Sequence, residues 1–258
     1  MQNLLQELVV GNIFAFLLIF MRFGVALMIM PGIGDSFVNP STRLLFALAI
    51  SFVLTPVLST HLPSIPSDTG LLIKLLVSEA FIGIFAGSVM RILMTALDTA
   101  GTIVSIQASL SNASLFNPST QSETPIMSAV YSSLGVTLIL VTDVHHQMLA
   151  AVVDSYKLFP ATGVFPDMGS TSELISKMVA LAFKVGAQIA VPFLVVGTLV
   201  QVGFGLLGRL MPQVQVFFLA MPVQIFLSLL MLLMTMSAGV MYWLNGYENV
   251  LTHSFSPE

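Results

Sequence analysis

The chain has 258 residues, of which 56% are hydrophobic and only 8% are charged, and its formal net charge is −4. Soluble domains carry roughly a quarter charged residues, so a mean hydropathy of +0.98 excludes an ordinary soluble domain, which needs a polar surface. The thinly spread charges exclude a basic surface for nucleic acid, and the absence of cysteine excludes disulfides.

Six apolar segments follow one another along the chain, and each predicts a long helix. They are 13–30, 44–58, 71–97, 126–153, 178–207 and 214–243. A bilayer-spanning helix needs about 20 apolar residues. No alternation with a period of two runs through these segments, which favours helices over barrel strands. The sequence therefore predicts an all-α membrane-type protein of about six long, partly broken hydrophobic helices arranged as hairpins.

The breaks between these segments contain turn and capping residues. The run Pro31-Gly32-Ile33-Gly34-Asp35 ends the first predicted helix. Asp68 or Thr69 is expected to cap the third helix, and Ser170 or Thr171 the fifth.

Prolines and glycines inside the apolar segments predict kinks and close packing. Pro56, Pro192 and Pro222 should kink or break their helices. Gly83 and Gly87 are four residues apart, a spacing that lets two membrane helices approach closely.

Ionisable residues inside the apolar segments predict buried polar pairs. Each such residue costs about 2.5–3.5 kcal/mol at the centre of a membrane helix, so its side chain usually faces protein or water. The residues in this group are Arg22, Glu79, Arg91, Asp143, His146 and Lys184. If the loops alternate sides, the basic residues divide evenly between them, so loop charge assigns no orientation. This tie suggests that partner proteins set the chain's position.

The run Asp143-Val144-His145-His146 is open to three interpretations. Asp143 and His146 share a helical face, where they would form an interhelical hydrogen bond or, with Glu79 and Lys184, a proton path. A metal needs three or four ligands, and the spacing HExxH is absent, so no metal site is expected. The serine-nucleophile motif GxSxG is also absent, so no catalytic residues are expected.

The segment 105–118, with the sequence SIQASLSNASLFNP, mixes polar residues with isolated apolar ones. Serine and asparagine favour turns over long helices, and an irregular backbone is not stable against lipid. The segment is either a surface loop with a hydrophobic anchor or a plug in a channel. The plug candidates are Gln107, Leu110, Ser111, Asn112, Leu115, Phe116, Asn117 and Pro118.

The stretch 206–222, LLGRLMPQVQVFFLAMP, predicts a tight helical hairpin. A proline ends one helix and permits another to start after it. The neighbouring polar side chains offer donors and acceptors that suit contact with partner helices. The predicted assembly contacts are Arg209, Pro212, Gln213, Gln215 and Pro222.

Several short patterns stand in one order along the chain and together resemble a known family. These patterns are Ala100-Gly101 with Gln107, Phe116-Asn117-Pro118, Thr124-Pro125, His145-His146, the run 154–160 (DSYKLFP), and GLLGR followed by Pro212-Gln213. The chain resembles the FliR/SctT family of type III secretion export-gate subunits over essentially its whole length. Asn117 departs from the acidic residue expected before the proline, which puts a charge role there in doubt.

The resemblance implies a non-enzymatic, pore-forming subunit of the flagellar type III export gate, required for export of flagellar proteins and for flagellum assembly. It implies a helical assembly with FliP-type and FliQ-type proteins, contacts with FlhB-type and FlhA-type proteins, and a place in the flagellar basal body at the inner membrane. It implies no cofactor. Residues 1–258 would form one domain, with a FliP-like portion at 1–176, a plug at 105–118 and a FliQ-like hairpin at 177–258. The alternative function is a proton-coupled transporter that uses Asp143, His146 and Glu79.

Overall fold

The computed structural model describes residues 2–110, 125–211 and 216–255. These ranges contain α-helices and one 3-10 helix, with no strand, so the all-α prediction is confirmed. The elements are α1 (Gln2–Ile29), α2 (Pro40–Leu58), the 3-10 helix Ser59–His61, α3 (Thr69–Gln107), α4 (Ile126–Val141), α5 (Val144–Leu158), α6 (Met168–Leu210) and α7 (Val216–Phe255). Five of the helices are long and apolar enough to cross a membrane, or six if α4 and α5 form one broken span.

Several helix boundaries differ from the predicted ones, and two of these differences have a clear structural reason. Helix α3 continues ten residues beyond the predicted end and includes Ser105 and Gln107, which the sequence placed in a loop. The buried Ser105 hydroxyl accepts a hydrogen bond from the Met127 N–H at 3.1 Å, so tertiary contacts override the weak helix propensity of serine. The segment predicted as one helix at 126–153 is two helices, bent by 77°, because Asp143 takes a left-handed conformation with φ 61°.

Aspartates cap two of the helices. The Asp68 carboxylate accepts a hydrogen bond from the backbone N–H two residues later at 3.1 Å, in agreement with the prediction. At the start of α6 the expected caps Ser170 and Thr171 are wrong. The carboxylate of Asp167 accepts the Ser170 N–H at 2.9 Å, and both hydroxyls donate to the Asp167 carbonyl. A carboxylate that precedes the helix can reach its free N–H groups, whereas these hydroxyls already lie in the first turn.

The three prolines expected to kink or break helices do not end them. Pro56 lies inside α2, Pro192 inside α6 and Pro222 inside α7. Each proline removes one backbone donor, but the helix continues through it, as membrane helices often do.

The chain divides into two compact units, and the first contains residues 1–92, 139–178 and 248–258. Helix α1 packs against α2 and α5. A Cβ added at Gly83 would collide with the Arg22 carbonyl, and one at Gly87 would lie 2.9 Å from the Ala26 carbonyl oxygen. The predicted close approach at these two glycines is therefore confirmed, and it joins α3 to α1.

The second unit contains residues 93–138 and 179–247. Small residues again permit close contact, since a Cβ at Gly101 would overlap the backbone of Ser128, and one at Gly186 would lie against the Ala96 carbonyl. Trp243 on α7 is buried, and its indole N–H donates to the Leu93 carbonyl at 2.9 Å. These contacts pack α4, α6 and α7 around the second half of α3.

Candidate functional site

A fully buried ion pair lies at the centre of the first unit. The guanidinium of Arg22 on α1 donates to the carboxylate of Glu79 on α3 through Nε at 2.7 Å and through Nη2 at 3.0 Å. Both side chains are 0% exposed. The two parallel hydrogen bonds match the planar fork of arginine to the two carboxylate oxygens, which is the strongest geometry for such a pair.

Helix α5 and the residue that directly follows it supply the remaining partners of the guanidinium. Nη1 of Arg22 donates to the Ser155 hydroxyl at 3.1 Å, and Nη2 donates to the Phe159 carbonyl at 2.9 Å. The Tyr156 ring lies 3.6 Å from the guanidinium carbon, in a cation–π contact. A buried charge is tolerated only when its hydrogen-bonding groups are satisfied. The network therefore joins three helices through one arginine.

The spacing of Glu79 and Gly83 explains why this pair forms. The two residues are four apart on α3 and so share one face of the helix. Gly83 brings the α1 backbone close enough for Arg22 to meet Glu79. The sequence identified each of these residues, but it did not identify the roles of Ser155 and Tyr156. Both lie in the run DSYKLFP. Its polar residues within an otherwise apolar stretch are the feature of the sequence that could have indicated these roles.

The second unit contains two polar clusters that the sequence did not predict. The Asp98 carboxylate on α3 accepts hydrogen bonds from Ser128 at 3.3 Å and from Ser132 on α4. On α7, the side chain of Gln224 is 7% exposed. Its amide donates to the Gln107 carbonyl and accepts from the Ser109 hydroxyl at 2.8 Å. The four-residue spacing of Ser128 and Ser132 places both on one helix face, and this pattern could have indicated the first cluster.

Gln224 therefore holds the end of α3 at the start of the predicted plug. Gln107 and Leu110 are the two predicted plug residues that the structure describes, and both are partly buried. The remaining six lie outside the described residues, namely Ser111, Asn112, Leu115, Phe116, Asn117 and Pro118. The start of the predicted plug segment is thus held in place by the buried side chain of Gln224 on α7.

Four of the six residues expected in buried polar pairs are not buried within the chain, and this expectation is corrected for them. Arg91 forms an ion pair with Asp35, and its side chain is 49% exposed. Asp143 and His146 contact each other at 3.5 Å but are 76% and 68% exposed. Lys184 is exposed on α6. These four side chains lie at helix ends or on outer helix faces, where no other described part of the chain buries them.

The structure does not assemble the proton path considered for a transporter. Glu79 is bonded to Arg22 inside the first unit. Asp143 and His146 lie exposed at the bend between α4 and α5. A proton relay needs groups within hydrogen-bonding reach of one another or of bridging water. The pairing of Glu79 with arginine instead gives that carboxylate a structural role.

Only two of the five predicted assembly contacts lie within the described residues. Arg209 is exposed in the last turn of α6, and Pro222 is exposed on α7. Pro212, Gln213 and Gln215 lie outside the described residues. Arg209 therefore presents its guanidinium at the end of a long hairpin arm.

The fold and these clusters define an all-helical membrane protein whose polar network serves packing. The chain belongs to the family described as bacterial export proteins, family 1, whose model matches residues 13–250. This match confirms the resemblance drawn from the sequence motifs.

Individual relatives support the same assignment. The chain is 39% identical to the flagellar biosynthetic protein FliR of Caulobacter vibrioides over 91% of this chain and 93% of that protein. It is 25% identical to FliR of Bacillus subtilis over 86% of each chain. It is 29% identical to the Yop proteins translocation protein T of Yersinia pestis over 66% of each chain. The similarity therefore includes a flagellar and a Yop-translocation protein.

Proposed function

We propose that this chain is a structural, pore-forming subunit of a flagellar type III protein export gate, without enzymatic activity. The flagellar names of its relatives and the export family support this function. The gate would lie in the inner membrane at the flagellar basal body. Export of flagellar proteins and assembly of the flagellum would both require it.

The observation that carries the proposal is the length of the uncovered apolar helices. Helix α6 has 43 residues, which corresponds to about 65 Å at 1.5 Å per residue. Its exposed apolar side chains run from Val179 to Leu210, a distance of about 47 Å along the axis. The hydrocarbon core of a bilayer is only about 30 Å thick. Lipid cannot cover this face at ordinary tilt angles, so protein partners are needed.

The apolar surface of α7 is also left uncovered by the rest of the chain. Only 6% of its most apolar stretch is buried within the chain, compared with 61% for α3. The family resemblance supplies the partners for this surface, namely FliP-type and FliQ-type proteins that pack beside the hairpin. FlhB-type and FlhA-type proteins would adjoin the same gate, and exported flagellar proteins would pass through it.

The test is purification of the chain alone and together with FliP-type and FliQ-type proteins. Co-expression should give a stable complex, while the chain alone should aggregate or be degraded. A strain that lacks the gene should lose flagella and regain them with the wild-type copy. A stable, monodisperse chain without partners, together with normal flagella in the deletion strain, would contradict the proposal.

Arg209 provides a sharper version of this test. Arg209→Ala removes an exposed guanidinium at the end of α6, and it should reduce recovery of the partner proteins. Lys177→Ala is the matched control, because Lys177 is also an exposed cation on α6, bonded to Glu173 within the helix at 2.8 Å. Equal recovery with both variants would exclude Arg209 as an assembly contact.

We further propose that residues Gln107 to Pro118 seal the resting gate. The polar segment with isolated leucine and phenylalanine residues, and the anchoring of its root by Gln224, support this role. Deletion of residues 110–116 in the full gate should increase the leakage of ions and small molecules across the cell membrane. Unchanged permeability with normal assembly would overturn the plug.

A further inference from the structure

Three metal-ligating side chains meet at the bend between α4 and α5. Asp143, His145 and His146 each offer one ligand atom, and these atoms all lie within 4.8 Å of one another. Asp143 Oδ1 is 3.5 Å from His146 Nδ1, and the two imidazole rings have their centroids 4.1 Å apart. This group takes no part in the buried network around Arg22.

The bend explains how His145 joins the group. Consecutive side chains on a straight helix point about 100° apart, so the sequence indicated only the pair Asp143 and His146. The chain instead turns at Asp143, whose backbone is left-handed with φ 61° and ψ 14°. The aspartate precedes the first turn of α5, so its carboxylate lies near both histidines of that turn, with the three ligand atoms within 4.8 Å of one another.

His145 is held in the tautomer that a metal ligand needs. Its Nδ1 lies 3.3 Å from the Ile139 carbonyl oxygen. A carbonyl can only accept, so Nδ1 carries the hydrogen and Nε2 of the neutral ring keeps a free lone pair. Metal-bound histidines usually have this second hydrogen bond to a backbone carbonyl or a carboxylate, which fixes the ring. The partner lies outside the three-residue group, on α4.

The charge at the bend also suits a cation. The C-terminal end of the α4 dipole and the N-terminal end of the α5 dipole meet here and oppose each other. The Asp143 carboxylate therefore makes the local electrostatic potential negative. Asp143 and His146 are 76% and 68% exposed, so an ion can enter and keep a water ligand.

We propose that Asp143, His145 and His146 form a binding site for one divalent transition-metal ion of the Zn²⁺ type. Two imidazoles and one carboxylate match the ligands of open tetrahedral zinc sites, with water in the fourth position. Ligand atoms around zinc are about 3.4 Å apart at the usual bond lengths. The ligand atoms lie within 4.8 Å of one another, so the farthest pair closes by up to about 1.4 Å, which rotation of the exposed Asp143 and His146 side chains allows. The ion would join the bend residue Asp143 to the two histidines in the first turn of α5.

The experiment titrates ZnCl₂ into the full chain in detergent, with its partner proteins if they co-purify, and without a polyhistidine tag. Isothermal titration calorimetry gives the number of ions, and Co²⁺ gives the intense visible spectrum of a tetrahedral site. The variants are His145→Gln and His146→Gln, with His61→Gln as the matched control. His61 is an exposed histidine on the 3-10 helix and is not one of the three proposed ligands.

We expect one Zn²⁺ per chain, weakened at least about tenfold by each of the two substitutions and unchanged in His61→Gln. Zinc should also raise the Tm of the wild type but not of His145→Gln, because only the native state holds the ligands together. Circular dichroism confirms that each variant remains helical. Binding that is absent in the wild type, or equal in the wild type and both bend variants, would overturn the site.

Discussion

Arg22 on α1 and Glu79 on α3 form a fully buried, two-bond ion pair, with Nε–Oε2 at 2.7 Å and Nη2–Oε1 at 3.0 Å. The residues are 57 positions apart in the chain. Ser155 and Tyr156 on α5, and Phe159 directly after it, surround the same guanidinium. This one relationship fixes the contact between three helices of the first unit.

Removing one side of this pair should destabilise the chain strongly. Glu79→Ala leaves the Arg22 charge buried without its partner, at a cost of about 3–5 kcal/mol. Lys177→Ala breaks an exposed pair with Glu173 and should change the stability very little, because exposed ion pairs are screened by water. Thermal unfolding in detergent measures both. The double variant Arg22→Met with Glu79→Leu should recover much of the lost stability, because it leaves no unpaired charge. Equal losses in Glu79→Ala and Lys177→Ala would contradict a stabilising role for the buried pair.

Gly83 should not tolerate a side chain. Gly83→Ala would place its Cβ against the Arg22 carbonyl and should cost about 1–3 kcal/mol through overpacking. Gly246→Ala on α7 is the control, since nothing lies within 4 Å of its added Cβ. Removing that glycine from a helix should be neutral or stabilise the protein by up to about 1 kcal/mol. The melting temperatures of the two variants are measured in the same detergent. If Gly83→Ala lowers the melting temperature no more than Gly246→Ala does, the close approach of α1 and α3 at Gly83 is refuted.

Gln224 should keep the end of α3 ordered. Gln224→Ala removes the bonds to the Gln107 carbonyl and the Ser109 hydroxyl, at a cost of about 1–3 kcal/mol for the groups left unpaired. Hydrogen exchange should quicken in peptides that cover residues 104–110 and stay unchanged near Leu93. Gln188→Ala is the control, because Gln188 accepts its bond from Tyr242 at an exposed position. Slow exchange at 104–110 in Gln224→Ala would show that other contacts hold the helix end.

Asp167 should make stability at the start of α6 depend on pH. Hydrogen bonds from the backbone N–H groups of Ser170 and Gly169 lower the pKa of the Asp167 carboxyl. A pKa that is lower in the folded state means that the carboxylate stabilises the fold above its unfolded pKa, near 3.9 for a free aspartate. That contribution is lost as the pH falls through the lower folded value.

The variant Asp167→Asn keeps an oxygen that can cap the helix but does not titrate. Its unfolding temperature should depend less on pH in the acid range than that of the wild type, while Asp167→Ala should also lose stability at neutral pH. Unfolding curves from neutral pH to below about pH 3 make the test. Identical acid profiles for the wild type and Asp167→Asn would remove Asp167 from the pH response.

Much of the local structure was readable from the sequence. The apolar segments predicted the long helices, and Asp68 and the glycine pair at 83 and 87 were placed correctly. Errors arose where local preference competed with tertiary contact. Ser105 favours a turn by itself, but its hydroxyl receives the Met127 N–H, and α3 continues. Asp143 lies in an apolar run that reads as one helix, yet its left-handed backbone divides that run.

The sequence by itself determined an all-helical membrane protein and its family, because hydrophobic length and the order of motifs are local properties. The tertiary structure decided which polar residues meet. These helices are apolar on nearly every side, so their periodicity does not indicate which face is buried. Arg22 could therefore not be assigned to Glu79 and to Ser155, 133 positions away, until α1, α3 and α5 were packed. The partner of a buried charge depends on which helix faces come together.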